Sequence, residues 1–357
     1  MTASTSPTDP DRSPIFVIGT GRSGTTLLRQ ILSAHPRIHL THEGYFYAHE
    51  RYLARKCSAS EWLERYFNTR SFQLMGLDRA AVRAAVPSDL PRERVHEAIQ
   101  TLMRLAAARH GKPRYGEKSP LDSRHLGRIF SDFPDARVVC IMRDPRAVVH
   151  SFTRMPWGSS SLLLANRACF RQYDQVAPFF GRIHEVTLEA LIADPRSTIG
   201  TILEYVGEPW DEAVLNHVQN APTDDVPPFP WHRSATRRPL SPPSSGTPQW
   251  RTELTPEWIR IIERSNAGTM ARYGYVAAEF DTEPTPRACR WAACRDLPEA
   301  FGTARRHIRA LASIYRTRRH RAETSLDPGK LNLATLRNPR ALRFYPELLE
   351  SANRPPE

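Results

Sequence analysis

Residues 15–28 read IFVIGTGRSGTTLL, and this stretch decides the fold class. Its four leading apolar residues suit a buried parallel strand, and the glycines that follow allow backbone angles closed to other residues. From Thr25 the sequence can open a helix whose first N–H groups attract an anion. The stretch predicts a strand, a phosphate-binding loop and a helix, and so an α/β protein of P-loop-like fold, with a central parallel sheet flanked by helices in three layers.

One position in the loop narrows the choice of phosphate. Gly19 and Gly24 have the spacing of GxxxxGK[ST], in which a Lys reaches the β- and γ-phosphates of a nucleoside triphosphate. Thr25 stands where that Lys would be. A donor with a single 5′-phosphate has no β- or γ-phosphate, and Arg22 could contact its 5′-phosphate or the group attached to it. ATP hydrolysis is disfavoured, although an ATP- and Mg²⁺-dependent kinase with a degenerate P-loop stays open.

The same glycines permit a dinucleotide-binding interpretation. Glycines at 19, 21 and 24 satisfy GxGxxG, and Glu43 follows at about 20 residues, where an acidic residue would bind a ribose. This alternative is not excluded by the loop alone.

A second strand and helix follow at 137–151, RVVCIMRDPRAVVHS. Arg143 leaves the carboxyl end of the apolar run, Pro145 suits the first turn of a helix, and Ser151 lies one to two turns further on. Ligands of open α/β sheets bind beyond the carboxyl ends of the strands. The two motifs together predict a site for two phosphates of one nucleotide.

In this order the motifs resemble the donor-binding signatures of sulfotransferases that use 3′-phosphoadenosine 5′-phosphosulfate (PAPS). In that family RSGTTLL is the 5′-phosphosulfate loop and RDPRAVVHS is the 3′-phosphate site, and the likeness extends from about residue 14 to 275. Arg251, beside Trp250, is a further candidate for the 3′-phosphate. The donor-binding residues that the resemblance implies are Gly21, Arg22, Ser23, Gly24, Thr25, Thr26, Arg143 and Ser151, with Arg251 added.

Within that family the chain is most similar to tyrosylprotein sulfotransferases and their bacterial relatives. Their loop is followed by AHP and then by an acidic general base, and here Ala34-His35-Pro36 precedes Glu43. His42 is the rival base, because other branches of the family use His. An NKDP-like segment supplies a Lys near the sulfonate, and EKSP places Lys118 there. An Arg-Ser pair upstream of a Trp makes Ser234 a candidate for contact with the transition state.

The chemistry of sulfonate transfer needs a base, cations and little else. An in-line displacement depends on positioning and on stabilising charge on the peripheral and leaving oxygens. Glu43 would take the acceptor proton, best if partial burial raised its pKa, and Lys118 and Arg22 would contact the sulfonate. No metal is expected, since the five cysteines form no CxxC pair.

The acceptor is left open by the sequence. The family's peptide-binding Arg after the base is absent, because Gly44, Tyr45 and Phe46 follow Glu43. A phenol, a sugar, a lipid or a peptidyl tyrosine all stay as acceptors, and a non-catalytic nucleotide-binding protein is the alternative from another class.

Composition and charge bound the remaining expectations. The 357 residues carry a formal net charge of +12, which suits a polyanionic donor, and no nucleic-acid-binding motif is present. The opening residues hold neither a secretion signal nor an apolar span, and the cysteine count is odd, so a cytoplasmic protein is expected. The predicted organisation is a disordered tail at 1–13, a catalytic domain at 14–282 and a basic, partly helical extension at 283–357.

The extension contains a basic helix candidate at 297–322. Its apolar residues Ile308, Leu311, Ile314 and Tyr315 have helical spacing among seven arginines. Two interpretations stay open: contact with an anionic membrane, or docking on the catalytic domain by that apolar stripe. A homodimer is also left open.

The coarse secondary structure follows from apolar periodicity and breakers. Residues 221–248, rich in proline, are expected to form a long loop. Strands are predicted at 15–19, 137–142 and 183–188, and helices at 25–34, 91–109, 122–132, 146–154, 163–179, 196–206 and 255–273.

Overall fold

The protein was analysed as a computed structural model. It describes residues 13–48, 58–224, 226, 227, 229–237, 240 and 247–317, and within these the side chains of 233–235, 307 and 309–317 are not described. The predicted tail at 1–13 lies, except for Ser13, outside the described residues, as does the chain from 318 onward.

A five-stranded parallel sheet forms the centre of the fold. Its strand order is β2-β3-β1-β4-β5, and every neighbouring pair is parallel. This confirms the predicted α/β class with a P-loop-like central sheet. The strands are β1 Ile15–Gly19, β2 Ile38–His42, β3 Arg114–Lys118, β4 Arg137–Met142 and β5 His184–Thr187.

Helices connect and flank the strands. Those of the first half are α1 Thr25–Ala34, α2 Ala59–Tyr66, α3 Arg70–Met75, α4 Arg79–Ala85, α5 Val95–Arg109, α6 Leu126–Asp132 and α7 Pro145–Thr153. Those of the second half are α8 Leu162–Val176, α9 Leu188–Ala193, α10 Pro195–Val206, α11 His217–Asn220, α12 Pro230–Thr236, α13 Gln249–Glu253, α14 Pro256–Ser265, α15 Ala267–Tyr273 and α16 Pro286–Thr317.

Two strands, β2 and β3, were missed by the sequence analysis. The segment RYGEK of β3 has the polar composition of a surface loop, yet all five residues are buried. Its charges are compensated inside the protein, because Arg114 lies 2.8 Å from Glu208 and Lys118 lies 2.7 Å from Glu43. Gly116 lets β3 approach β1, since an added Cβ would lie 1.9 Å from the carbonyl oxygen of Ile15.

Several helix boundaries also differ from the prediction. The helix expected at 255–273 is two helices, α14 and α15, joined at Asn266. The loop expected at 221–248 contains α12 in its described part. The basic helix begins at Pro286, earlier than expected, and is described as far as Thr317.

The structure divides into two compact units. Of the described residues, the first contains those within 13–19, 24–142 and 176–240, and the second contains those within 20–23, 143–175 and 247–317. The sheet and its apolar core belong to the first unit, in which side chains of β1, β4, α1 and α10 pack together. The tail, catalytic and extension boundaries expected from the sequence stay a prediction.

Candidate active site

The loop after β1 has the backbone of an anion site. Gly24 adopts φ 102° at the N-terminus of α1, and no side chain caps that end of the helix. A Cβ at Gly24 would also lie 2.8 Å from the side chain of Leu188. Glycine is therefore required both by the positive φ and by the lack of space. The first-turn N–H groups, including those of Thr25 and Thr26, are therefore left to bind an anion.

The second unit brings three predicted donor-binding residues together. The Nε of Arg22 donates to Oγ of Ser151 at 3.1 Å, and Nη1 of Arg143 donates to the carbonyl oxygen of Arg22 at 3.1 Å. Arg22 adopts φ 76°, an uncommon conformation for a residue with a side chain. Arg22 thus contacts Arg143, 121 positions away, and Ser151, 129 positions away. These contacts join Arg22 of the loop motif to the predicted 3′-phosphate motif.

Asp144 supports this arrangement from the start of α7. Its carboxylate accepts from the backbone N–H of Arg146 at 2.9 Å and pairs with the Arg146 guanidinium at 2.8 Å. Arg146 also pairs with Glu263 at 2.6 Å and lies 4.1 Å from the ring centre of Trp250. The buried pairing of Arg146 fixes the turn from which Arg143 projects.

The remaining predicted residues have less defined places. Ser23 is buried, and its hydroxyl donates to the carbonyl oxygen of Thr20 at 2.6 Å. Gly21 lies 3.6 Å, measured from its built Cβ, from Trp157. Arg251 is exposed and stacks at 5.0 Å on Trp250. Ser234 lies in α12, and its side chain is outside the described part of the structure.

The first unit joins the two candidate catalytic residues. Strands β2 and β3 are paired with His42 opposite Lys118, so Glu43 and Lys118 emerge at the same edge of the sheet. Nζ of Lys118 donates to Oε1 of Glu43 at 2.7 Å and to Oγ1 of Thr26 at 3.3 Å. Lys118 thereby links the candidate base to the first turn of the phosphate loop's helix.

A strained turn holds Glu43 in place. Glu43 and Tyr45 adopt φ 52° and 50°, a region that residues with side chains avoid at a cost of about 1 kcal/mol or more each. The N–H of Glu43 donates to the carbonyl oxygen of Lys118 at 2.8 Å, and the N–H of Tyr45 donates to Oε1 of Glu117 at 2.8 Å. The hydroxyls of Ser71 and Tyr66 donate to the carbonyl oxygens of residues 43 and 44. Strain held by so many contacts is typical of a functional site.

The pKa of Glu43 is low, and the side chain is therefore an ionised carboxylate. Burial by itself would raise its pKa, but the charges of Lys118 and His232 and the hydrogen bonds from Lys118 and Tyr45 outweigh burial and lower the pKa to about 2. The raised pKa that would best suit a base is therefore not present in this state, and the sequence does not show the ammonium that lowers it. The same burial lowers the pKa of Lys118, which Glu43 opposes.

His42, the rival base, is less suited to the role. Its side chain is fully buried, whereas that of Glu43 is 20% exposed, and its Nε2 lies 3.9 Å from Oε1 of Glu43. Burial, followed by the charge of Lys118, lowers the pKa of His42 well below its usual value. Because the imidazole of His42 is fully buried, an acceptor cannot reach it, and the partly exposed Glu43 is favoured as the base.

Three residues of this region could hold a metal ion. His42, Glu43 and His232 each place one ligand atom within 4.8 Å of the others, a cluster that sequence spacing did not reveal. The Lys118 ammonium, however, already lies on the Glu43 carboxylate. A divalent cation would have to displace that ammonium, so the expectation of metal-free chemistry is kept as a proposal.

Two further residues near the base were missed. Tyr45 donates its phenolic O–H to Oε2 of Glu43. Arg70 lies with its guanidinium 4.3 Å from the ring centre of Phe229, and its Nε and one Nη have no hydrogen-bond partner among the described residues. The charges of Glu43 and Tyr45 act on the pKa of Arg70 in opposition to burial, which places it near the base. Arg70 lies on a separate helix, α3, and no sequence motif connects it with Glu43, so the sequence contains no signal for it.

A family model described as "Sulfotransferase family" matches residues 14–212, more than half of the chain. The chain belongs to the sulfotransferase family. The matched segment contains the phosphate loop, Glu43, Lys118 and the Arg143–Ser151 motif, whereas His232, Trp250 and Glu263 lie beyond it.

Curated relatives are similar over the same part of the chain. Protein-tyrosine sulfotransferase 1 of Danio rerio is 30% identical over 218 residues, which cover 58% of this chain and 56% of that protein. Protein-tyrosine sulfotransferase of Drosophila melanogaster is 28% identical over 216 residues, covering 57% of this chain and 40% of the relative. The chain therefore spans about half the length of the curated relatives it matches.

Solved sulfotransferase domains share the fold. The sulfotransferase domain of the Synechococcus PCC 7002 olefin synthase aligns with a TM-score of 0.55 and 21% identity, covering 75% of this chain and 97% of that chain. The sulfotransferase domain of the curacin biosynthetic pathway aligns with a TM-score of 0.51 and 18% identity, covering 74% and 99%. At these identities the likeness establishes the P-loop-like fold.

Proposed function

We propose that this protein is a sulfotransferase enzyme that moves the sulfonate group of PAPS to an acceptor hydroxyl and releases adenosine 3′,5′-bisphosphate. One observation carries the proposal: Lys118 lies between Thr26 of the phosphate loop and Glu43, at 3.3 and 2.7 Å. A cation shared by an anion-binding helix and a carboxylate suits transfer from a phosphate-linked group to a hydroxyl.

The donor's phosphates would be bound by two sets of residues. The first turn of α1, with Gly24, Thr25 and Thr26, suits the 5′-phosphosulfate, because its N–H groups have no side-chain cap. Arg143 and Ser151 suit the 3′-phosphate, and Arg22 is tied to both of them. A donor with a single 5′-phosphate is favoured over a triphosphate, since no Lys occupies position 25.

In the transfer step the chain supplies a base and a cation. Glu43 accepts the proton of the acceptor hydroxyl while that oxygen bonds to sulfur and the bond from sulfur to the bridging oxygen breaks. Lys118 moves from Glu43 to the developing charge on the bridging oxygen, with Arg22 on the phosphate side. Departure of the ammonium raises the pKa of Glu43, so the carboxylate becomes a stronger base when the donor is bound. None of these roles requires a metal ion.

We infer a phenolic hydroxyl as the acceptor. The phenol of Tyr45 donates to Glu43 in the structure, which supports a phenol as a partner for that carboxylate. Several relatives carry the name protein-tyrosine sulfotransferase, which agrees with such an acceptor. Arg70, with donors unused among the described residues, favours an acidic group close to the reacting hydroxyl.

The test is a transfer assay with radiolabelled PAPS and four acceptors: a simple phenol, a tyrosine peptide with neighbouring acidic residues, a sugar and a lipid with a free hydroxyl. We expect transfer to the phenol and the acidic peptide. Transfer to the sugar or lipid alone would leave the enzyme class intact and reject the phenol. If no acceptor is labelled and the protein transfers phosphate from ATP in the presence of Mg²⁺, the kinase hypothesis replaces the sulfotransferase hypothesis.

A further inference from the structure

The long helix α16 carries an apolar and basic outer face. Four large apolar side chains on it are exposed, Trp291 by 57%, Leu297 by 43%, Phe301 by 72% and Ile308 by 65%. They recur at helical spacing with exposed Cys294. The outer face of α16 is defined by the exposed residues Arg287, Arg290, Trp291, Cys294, Arg295, Leu297, Phe301, Arg305 and Ile308.

The charges on this helix are segregated. Arginines supply all the ionisable charge among the exposed positions from Pro286 to Ile308, whereas Asp296 and Glu299 are part-buried on another side of the helix. A uniformly positive face with large apolar side chains is complementary to a surface that is negative and apolar at once.

The acidic residues of α16 attach it to the second unit. Asp296 accepts from the hydroxyl of Ser161 and from the backbone N–H of Leu163 at 3.0 Å. Glu299 accepts from the hydroxyl of Ser160 and pairs with Arg306 at 2.7 Å. The helix is therefore held through its polar side. Docking by the apolar stripe, one of the two interpretations of the sequence, is not seen at Ile308, which is exposed; the side chains of the other stripe residues are not described.

We propose that the outer face of α16 binds the surface of an anionic lipid bilayer, as a peripheral contact. Trp, Leu, Phe and Ile would enter the boundary between headgroups and acyl chains, and the arginines would contact lipid phosphates. A second copy of the chain is a poorer occupant, because a two-fold contact would bring the arginines of one face against those of the other. None of the helices in the described part of the chain has the length and hydropathy to cross a membrane.

The experiment is sedimentation of the full chain with vesicles of phosphatidylcholine alone or of phosphatidylcholine and phosphatidylglycerol in equal parts. We expect binding to the mixed vesicles, weakened by salt, and little binding to phosphatidylcholine. Replacing both Leu297 and Phe301 by Ser should weaken binding by roughly tenfold or more. The double variant Arg290→Gln with Arg305→Gln should weaken binding by about fivefold per charge.

A matched control removes the same charge elsewhere. Arg124→Gln with Arg171→Gln lowers the net charge equally at exposed positions outside α16 and should bind like the unmodified protein. Equal losses in the two charge variants would reduce the effect to net charge and overturn the proposal. No vesicle binding, or a dimer in solution that the Leu297 and Phe301 replacements dissociate, would do the same, the latter assigning the face to a second copy.

Discussion

The ammonium of Lys118 lies 2.7 Å from the carboxylate of Glu43, at the carboxyl ends of two neighbouring parallel strands. Lys118 is fully buried and Glu43 is 20% exposed, so the cation is enclosed while the base can be reached. In the proposed transfer, a donor anion would attract the ammonium and free the carboxylate to accept a proton.

Replacement of Glu43 by Gln tests the base. Gln keeps the shape of the side chain and its place in the strained turn but cannot take a proton, so kcat should fall roughly 10²- to 10⁴-fold. Affinity for adenosine 3′,5′-bisphosphate should change little, which calorimetry measures. Glu64→Gln, on an exposed carboxylate paired with Arg83, is the control and should keep full activity. Unchanged turnover in Glu43→Gln would remove the residue from the chemistry.

The acid limb of the pH–rate profile tests the pairing. In the unmodified protein the charge and hydrogen bond of Lys118 help to lower the pKa of Glu43 to about 2, so Glu43 is ionised throughout the usual assay range. In Lys118→Met the carboxylate loses its cation while burial stays, and its pKa should rise. Residual kcat/KM should then fall with acid at a higher pH than in the unmodified protein. An acid limb at the same pH in both proteins would show that Lys118 does not control this group.

The 3′-phosphate site is tested with Arg143→Ala. Loss of one charge-assisted contact should cost about 1.5 to 3 kcal/mol, which is roughly a 10- to 150-fold weaker Kd for adenosine 3′,5′-bisphosphate. Adenosine 5′-phosphosulfate, which lacks the 3′-phosphate, should lose far less. Arg167→Ala, on an exposed Arg of α8, provides the comparison. Equal weakening for both nucleotides would contradict the assignment.

The sequence predicted the strands and helices of the proposed phosphate sites, but it held no local signal for the elements that support them. Motif spacing predicted β1, β4 and their helices, because buried apolar runs and glycine turns are local features. Strand β3 was missed because Arg114 and Lys118 are charged. Their burial is compensated by ion pairs with Glu208 and Glu43, which are distant in sequence. The low pKa of Glu43 was not foreseen for the same reason, since Lys118, the main charge that lowers it, is 75 positions away.

Stability should depend on a buried carboxylate pair behind the strained turn. Glu117 and Asp122 are both fully buried, and burial raises the pKa of both, that of Asp122 to about 8. A raised carboxyl pKa means that the folded state binds a proton which the unfolded state releases above about pH 4. Stability should therefore fall as pH rises toward 8, by up to about 1.4 kcal/mol per pH unit for one proton.

Asp122→Asn checks this dependence. Thermal unfolding is measured at each pH unit between pH 5 and 8. The Tm of the variant should decline less steeply with rising pH than the Tm of the unmodified protein. Asp135→Asn, at an exposed carboxylate, should leave the slope unchanged. A slope that Asp122→Asn does not alter would place the titrating group elsewhere.

Metal-free chemistry predicts that EDTA leaves the transfer rate unchanged. The cluster of His42, Glu43 and His232 makes this a real test, because those atoms lie within 4.8 Å of one another. The opposite result has three parts: EDTA abolishes activity, a transition metal restores it, and His232→Ala is inactive. That result would show that the cluster binds a metal ion. Zn²⁺ added to the unmodified protein should inhibit transfer by displacing Lys118 from Glu43.

The most direct test of the central claim is calorimetric titration of the purified protein with adenosine 3′,5′-bisphosphate in the absence of added metal, beside a titration with ATP and Mg²⁺. Sulfonate transfer from PAPS predicts tight binding of the bisphosphate, weakened by Arg143→Ala, and weak binding of ATP. Preference for ATP with Mg²⁺ would contradict it, and the roles proposed for Glu43 and Lys118 would then have to be abandoned.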